Sequence, residues 1–110
     1  MAINSRDKGA RFERTIAGMF RDYGYQAERT AQHCGKNGDA PDVRGVRGIH
    51  IETKAVERLN IYDAMDQAKR DSKNTDNLPT VIHKKNNHEV LVTMRFEDWM
   101  KLYREWEAST

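Results

Sequence analysis

The sequence predicts an α/β domain in which helices flank a central mixed β-sheet. Apolar residues recur at helical spacing over 5–24, 61–74 and 96–108, and shorter segments between them have the alternation of strands. The resulting order is α-β-β-β-α-β-β-α, in which the early strands form a meander and the middle helix crosses over between two strands. The length favours a single domain over residues 1–110.

The composition excludes several classes of protein. Of the 110 residues, 37% are apolar and 33% are charged, and the apolar ones are periodic enough to form a modest core. No apolar run approaches the roughly 18 residues that a membrane span needs, and no signal-peptide pattern opens the chain. The single cysteine permits no internal disulfide. We therefore expect a protein of a reducing compartment: the cytoplasm or, if the source is viral, the interior of the host cell.

Charge is distributed unevenly along the chain. The net charge is only +2, but residues 1–88 contain 16 basic and 12 acidic side chains, and residues 89–110 contain 3 basic and 5 acidic ones. A local basic excess of this kind is compatible with a phosphate backbone as the partner.

The first helix is predicted over 5–24 from its apolar stripe and its end signals. Ser5 and Asp7 are alternative caps, and Gly24 stands where a glycine ends a helix. Glu13 lies at the edge of the stripe rather than opposite it. The stripe consists of Phe12, Ile16, Met19, Phe20 and Tyr23.

A short strand over 24–30 and a glycine-containing loop over 31–40 precede two strands, 42–46 and 49–56, joined around Arg47-Gly48. Side chains on a strand alternate between its faces. The two faces of the second strand carry Ile49, Ile51 and Thr53 on one side and His50, Glu52 and Lys54 on the other. A carboxylate and an ammonium group therefore project side by side from one face.

The remaining elements are a helix over 61–74, strands over 79–83 and 89–94 that flank a turn, and a helix over 96–108. The inner stripe of the middle helix consists of Ile61, Ala64, Met65 and Ala68. The stripe of the last helix consists of Phe96, Trp99, Met100, Tyr103 and Trp106. The core is the more common place for such a stripe, and a dimer interface is the second interpretation.

Asp42, Glu52 and Lys54 have the side-chain types that phosphodiester hydrolysis requires. Converging carboxylates bind a hard divalent cation, and a neighbouring lysine orients the attacking water or stabilises the developing charge. Glu13 is a candidate third carboxylate, and the backbone carbonyl of Thr53 is a candidate further ligand.

Pro41-Asp42 followed by Glu52-Thr53-Lys54 resembles the PD…(D/E)xK signature of a large nuclease superfamily. Four flanking segments resemble archaeal-type Holliday junction resolvases in order and spacing. KGARFER matches their opening helix, with Glu13 in the place of the first acid, and GYQAERT matches their next strand, including Arg29. IYDAMDQAKR matches the helix after the lysine strand, and VTMRFEDWMKL matches the closing strand and helix.

The resemblance implies a restriction-endonuclease-like fold and a homodimer that nicks branched DNA with Mg²⁺, for which Mn²⁺ is a substitute. It implies no membrane association and no small-molecule cofactor. The metal ligands would be Asp42, Glu52, Glu13 and the Thr53 carbonyl, with Gln67 supporting the site. The candidate DNA-binding residues are Lys8, Arg11, Arg29, Arg44 and Arg47.

One loop position departs from the resolvase pattern. Those proteins commonly have a catalytic serine just before a glycine, where this chain has Cys34 before Gly35, with His33 beside it. A cysteine is only a weak hydrogen-bond donor. The departure leaves open the role of the loop and the strictness of four-way-junction specificity.

Simpler interpretations remain open for each candidate. Glu52 and Lys54 fit a solvated ion pair on an edge strand, Glu13 fits a helix-surface acid, and Gln67 fits an ordinary polar helix residue. Asp39 is an alternative to Asp42 as the acid at the entry to the strand.

The segment HKKNNH is better explained as a polar hairpin tip than as a zinc site, because no further ligands stand at a recognised spacing. At the level of function, the alternatives are another structure-selective or restriction-type nuclease and a catalytically silent DNA-binding module.

Overall fold

The structure, a computed structural model, describes residues 5–30 and 40–110. The predictions for His33, Cys34 and Asp39 lie outside the described residues. The elements of the described part follow the predicted order. They are α1 (Ser5–Asp22), β1 (Glu28–Arg29), β2 (Val43–Arg44), β3 (Ile49–Lys54), α2 (Ile61–Ser72), β4 (Leu78–His83), β5 (Leu91–Met94) and α3 (Phe96–Ala108).

The five strands form one mixed sheet in the spatial order β1-β2-β3-β4-β5. The first three strands are an antiparallel meander, β3 and β4 are parallel with α2 as the crossover, and β4 and β5 form a hairpin. Parallel neighbours need such a crossover because a tight turn cannot join them. The predicted α/β class with a mixed sheet is confirmed.

The first two strands are much shorter than predicted. Segments of 24–30 and 42–46 were expected, but only Glu28↔Arg44 and Arg29↔Val43 pair between β1 and β2. Gly45 follows with a φ of 97°, and a Cβ there would lie 2.2 Å from the carbonyl oxygen of Gln26. The backbone at Gly45 therefore lies against Gln26 in a conformation that only glycine can adopt.

The two faces of the sheet are covered by different helices. Phe12 and Ile16 of α1 pack with Ile51 and Ile82, whereas Ala64, Met65 and Ala68 of α2 pack with Val81. Neighbouring residues of β3 and β4 thus point to opposite helices, as strand alternation requires. On β3, the face that carries Glu52 and Lys54 is the one covered by α2.

Both faces of β3 are buried. Glu52 and His50 are each 2% exposed, and β3 lies between β2 and β4 in the middle of the sheet. The interpretation of Glu52 as part of a solvated pair on an edge strand is therefore wrong. A buried carboxylate requires compensation from hydrogen bonds or from a positive charge.

The helix ends follow ordinary capping chemistry. The side chain of Asn60 accepts a hydrogen bond from the Asp63 amide at 3.1 Å and caps α2. Gly24, with a φ of 96°, follows α1, and its amide donates to the carbonyl of Arg21 at 2.9 Å. α1 ends at Asp22, two residues before the predicted end.

The aromatic stripe of α3 is on the surface of the described chain. Phe96 is 76% exposed and Trp106 is 60% exposed, and the rings of Trp99 and Tyr103 stack with their centroids 5.1 Å apart. The interpretation of the stripe as core is therefore wrong for the single chain. Burial in a dimer interface stays a prediction.

Candidate active site

β3 places Glu52 and Lys54 at the centre of the sheet, beneath α2. The parallel register with β4 runs without interruption from Ile49↔Leu78 to Lys54↔His83, so the strand is held along its whole length. A carboxylate on such a strand has little freedom to move. The position suits a catalytic ligand that must be fixed before substrate arrives.

Asp42, just before β2, is fastened directly to β3. Its amide donates to the carbonyl of Ile51 at 2.8 Å. Its Oδ2 accepts hydrogen bonds from the amide of Thr53 at 2.9 Å and from the Thr53 hydroxyl at 3.3 Å. The carboxylate of Asp42 is thus fixed beside the residue that separates Glu52 from Lys54.

The electrostatics of Glu52 reflect a crowded, negatively charged site. Burial raises the pKa of the Glu52 carboxyl, a hydrogen bond from His50 opposes the rise, and the negative charges of Asp42 and Asp71 add to it. Two carboxylates that interact, one of them buried, favour an added proton or a bound cation. Carboxylate oxygens are the donors that Mg²⁺ and Mn²⁺ prefer, so Asp42 and Glu52 fit such an ion.

Lys54 is oriented by the helix that covers it. Its Nζ donates to Oε1 of Gln67 on α2 at 3.1 Å. The structure therefore brings together the two residues that the sequence associated only through a family pattern. The contact fixes the ammonium group on the same face of β3 as Glu52.

Glu13 is placed differently from the other candidate acids. Its Oε1 accepts a hydrogen bond from Nε of Arg29 at 2.6 Å. Arg29 pairs with Val43, whose side chain packs in the α1 cluster, so the ion pair lies on the sheet face opposite to Glu52. Arg29, expected to contact DNA, thus also holds Glu13 beside the start of β2.

His50 and Asp71 are at the site, and neither was singled out from the sequence. The Nε2 of His50 lies 3.1 Å from Oε1 of Glu52, and ligand atoms of His50, Glu52 and Asp71 all lie within 4.8 Å of one another. A signal did exist: His50 shares the strand face of Glu52, and Asp71 follows Ala64 and Ala68 at helical spacing. It became informative only once α2 was known to cover that face of β3.

A basic groove adjoins the end of β3. Its volume is about 530 Å³, and it contains Ala55, directly after Lys54, together with Lys8, Arg11, Lys84 and Lys85. The structure thus brings two of the expected DNA contacts together. Lys84 and Lys85 were interpreted from the sequence as part of a polar hairpin tip, and their position beside α1 was not foreseen.

Two more of the five expected DNA contacts lie together in a different place. Arg44 and Arg47 line a second groove of about 410 Å³ at the β2–β3 turn. Arg44 is also in an ion pair with Glu28 across the β1–β2 ladder. Basic side chains therefore border both the β2–β3 turn and the end of β3.

The mixed sheet, with α1 on one face and α2 on the other, is a restriction-endonuclease-like fold. A family described as "phage putative PDDEXK endonuclease" matches residues 4–110. The chain belongs to this family. No curated protein sequence matches it.

One similar solved structure is that of Hjc from Archaeoglobus fulgidus, described as a Holliday junction resolvase from an archaeal hyperthermophile. The TM-score is 0.58 and the sequence identity is 21%, over 76% of this chain and 73% of that one. The likeness confirms the restriction-endonuclease-like fold. Among the described residues, no helix has the length and apolar character to cross a bilayer.

Proposed function

We propose that the protein is a metal-dependent DNA endonuclease that cuts branched DNA, with four-way junctions as its principal substrate. The observation that carries the proposal is that Asp42, hydrogen-bonded to Thr53, lies near enough to Glu52 to influence its pKa, with Lys54 on the same strand face as Glu52. The endonuclease family supports hydrolysis of phosphodiester bonds. The fold shared with an enzyme described as a Holliday junction resolvase supports the choice of branched DNA.

Asp42 and Glu52 would hold Mg²⁺, or Mn²⁺ in its place, with the Thr53 carbonyl as a further ligand. When bound, the ion supplies Lewis-acid polarisation of the phosphoryl group and neutralises its charge. Glu13 is held by Arg29 beside the start of β2, so it would reach the ion only through water. No small-molecule cofactor is needed for this chemistry.

Lys54 would act on the attacking water or on the charge that develops at the phosphate. Its ammonium group is held by Gln67 at 3.1 Å, so its direction is fixed before DNA arrives. Preorganisation of a cation in a site that excludes water is an effective way to stabilise developing charge. Gln67 therefore has a positioning role.

DNA would lie across the basic groove beside β3, with phosphates contacted by Lys8, Arg11, Lys84 and Lys85. Arg44 and Arg47 at the β2–β3 turn would extend the contacts to a second segment of backbone. Arg29 would contribute mainly by holding Glu13. Contacts of this kind neutralise phosphates without reading bases, which suits an enzyme selective for DNA shape.

The working enzyme would be a homodimer. A four-way junction has two symmetric scissile phosphates, and one domain of this size supplies one catalytic site. The exposed aromatic stripe of α3 supports self-association, because large exposed apolar patches commonly mark interfaces. The phage family supports action inside a cell, in the cytoplasm or in the host interior.

The proposal is tested by incubating the purified protein with labelled four-way junction, flap, duplex and single-stranded DNA, with and without Mg²⁺. We expect Mg²⁺-dependent cleavage with the junction preferred. Preference for flap or duplex would favour another structure-selective or restriction-type nuclease. Junction binding without cleavage of any substrate would indicate a silent DNA-binding module.

A further inference from the structure

We infer that His50, Glu52 and Asp71 form a binding site for a divalent transition-metal ion, of which Mn²⁺ and Zn²⁺ are the natural probes. The site shares Glu52 with the proposed catalytic pair and lies between β3 and α2. The inference deepens the proposed function, because an ion bound here would be a direct neighbour of the catalytic centre. It rests on side chains that the nuclease signature does not include.

The first argument is geometric. One ligand atom from each of His50, Glu52 and Asp71 lies within 4.8 Å of the others. Ligands about 2.1 Å from a common ion lie at most about 4.2 Å apart, so a small change of side-chain torsions closes the triangle. His50 and Glu52 project from adjacent positions on one strand face, and Asp71 faces them from α2.

The second argument is the state of Asp71. Its Oδ2 is buried and has no hydrogen-bond partner among the described residues. Leaving a buried carboxylate oxygen unpaired is costly. An ion between β3 and α2 would satisfy this oxygen without moving the helix.

The third argument concerns charge. Asp71 and Glu52 are two carboxylates with one imidazole between the strand and the helix, and Lys54 is already engaged by Gln67. A divalent cation would compensate both carboxylates, of which Glu52 is buried and Asp71 is half-buried.

The imidazole decides which ions are preferred. Mg²⁺ requires oxygen ligands and dehydrates reluctantly, whereas imidazole nitrogen suits first-row transition metals. The Asp42–Glu52 pair has only oxygen donors, and the cluster of His50, Glu52 and Asp71 has a nitrogen donor. The site at Asp42 and Glu52 would therefore accept Mg²⁺, and the site at His50, Glu52 and Asp71 would prefer a transition-metal ion. The two sites share the carboxylate of Glu52.

The test measures Mn²⁺ binding by calorimetry and compares the variants Asp42→Asn, Asp71→Asn and His50→Gln. Asp66→Asn is the matched control, because Asp66 is an exposed acid on the same helix, 3.9 Å from Lys69. We expect Asp66→Asn to bind Mn²⁺ as wild type does, and Asp42→Asn to lose the ion proposed at Asp42 and Glu52 but to keep the one at His50, Glu52 and Asp71. Asp71→Asn and His50→Gln should each weaken binding by at least about tenfold, since even partners outside the coordination sphere cost that much.

Two further measurements keep the inference falsifiable if a variant folds poorly. Mn²⁺ should raise the melting temperature of wild type more than Mg²⁺ does, and Asp71→Asn should lose that difference. Zn²⁺ should shift the imidazole ¹⁵N resonances of His50, identified as those absent from His50→Gln. Unchanged His50 resonances, or Mn²⁺ affinity that is lost in Asp42→Asn but kept in Asp71→Asn, would overturn the inference. Neither measurement uses DNA, so failure of the proposed nuclease function would be seen separately.

Discussion

The chemistry of single residues centres on Glu52, a carboxylate that is buried in the middle of the sheet and surrounded by charge. Asp42 approaches it from β2, Asp71 from α2 and His50 from its own strand. The two aspartates raise the pKa of Glu52, and the hydrogen bond from His50 lowers it. Three predictions follow from these contacts.

Asp42→Asn and Glu52→Gln should each abolish cleavage while preserving junction binding. Each change removes a candidate metal ligand and one negative charge near the phosphates, so binding should be equal or slightly tighter. Gel-shift and cleavage assays on the same junction provide the measurement, with the exposed Asp66→Asn as the control. If Asp42→Asn cut DNA at the parent rate, Asp39 would take over the role given to Asp42.

Glu52→Gln should also stabilise the metal-free protein at neutral pH. The pKa of Glu52 is raised mainly by burial, so the folded chain favours the protonated carboxyl. Its contribution to stability is complete below the unfolded pKa of about 4.5 and is lost as the pH rises through the folded value. Glutamine keeps a neutral group at all pH values.

Thermal melts in EDTA at pH 7 and pH 4 measure this effect. We expect the Glu52→Gln variant to have a higher melting temperature than wild type at pH 7. The rise should be roughly 4 °C for each 1 kcal/mol gained in the free energy of unfolding. The advantage should shrink at pH 4. An equal melting temperature at pH 7 would mean that the buried carboxyl is already compensated by its neighbours.

Gln67→Leu should lower turnover with little change in the affinity for DNA. The substitution removes the acceptor that holds Lys54 Nζ at 3.1 Å, and leucine retains similar volume beneath the helix. We expect kcat to fall by about tenfold or more, as for other residues that orient a functional group. A change in DNA affinity without a change in kcat would contradict the positioning role.

At the scale of elements, local patterns predicted which segments become helices and strands, but not how far each strand pairs. The helix over 96–108 and the crossover helix were visible in apolar periodicity, and their bounds agree closely with α3 and α2. The strand expected over 42–46 comprises only Val43–Arg44 in the structure. Its length depends on Gly45, whose backbone approaches that of Gln26 closely. That approach is a tertiary contact, which no periodicity encodes.

In the candidate site, too, local sequence patterns predicted some residues, and others depended on tertiary contacts. Asp42, Glu52 and Lys54 could be proposed from sequence because a proline, a turn and strand alternation fix their relation locally. Asp71 could not, because its relevance depends on α2 covering the face of β3 that carries Glu52. The stripe of α3 was misinterpreted for a related reason: periodicity identifies an apolar face and not what covers it.

At the scale of the whole molecule, two features point to a larger assembly. Basic grooves border both the end of β3 and the β2–β3 turn, and the aromatic stripe of α3 is exposed in the single chain. A homodimer would bury the stripe and present two catalytic sites on one basic surface. DNA binding by such a surface should weaken steeply with salt, because phosphates rather than bases provide the contacts.

Sedimentation equilibrium at micromolar concentration should detect a dimer. Trp106→Lys should shift the equilibrium toward monomer, since a charge would replace a large apolar side chain in the interface. Lys101→Ala, a change at a more polar position of the same helix, is the control and should leave the dimer intact. A wild-type monomer that still makes paired nicks at dilute protein would contradict the assembly.

The most direct test of the central claim is single-turnover cleavage of a labelled four-way junction in Mg²⁺, in Ca²⁺ and in excess EDTA. We predict rapid cleavage with Mg²⁺ and none in EDTA. Ca²⁺ should occupy the site but support little cleavage, because its looser coordination positions the attacking water poorly. Cleavage in EDTA at the rate seen with Mg²⁺ would contradict a metal-dependent site built on Asp42 and Glu52.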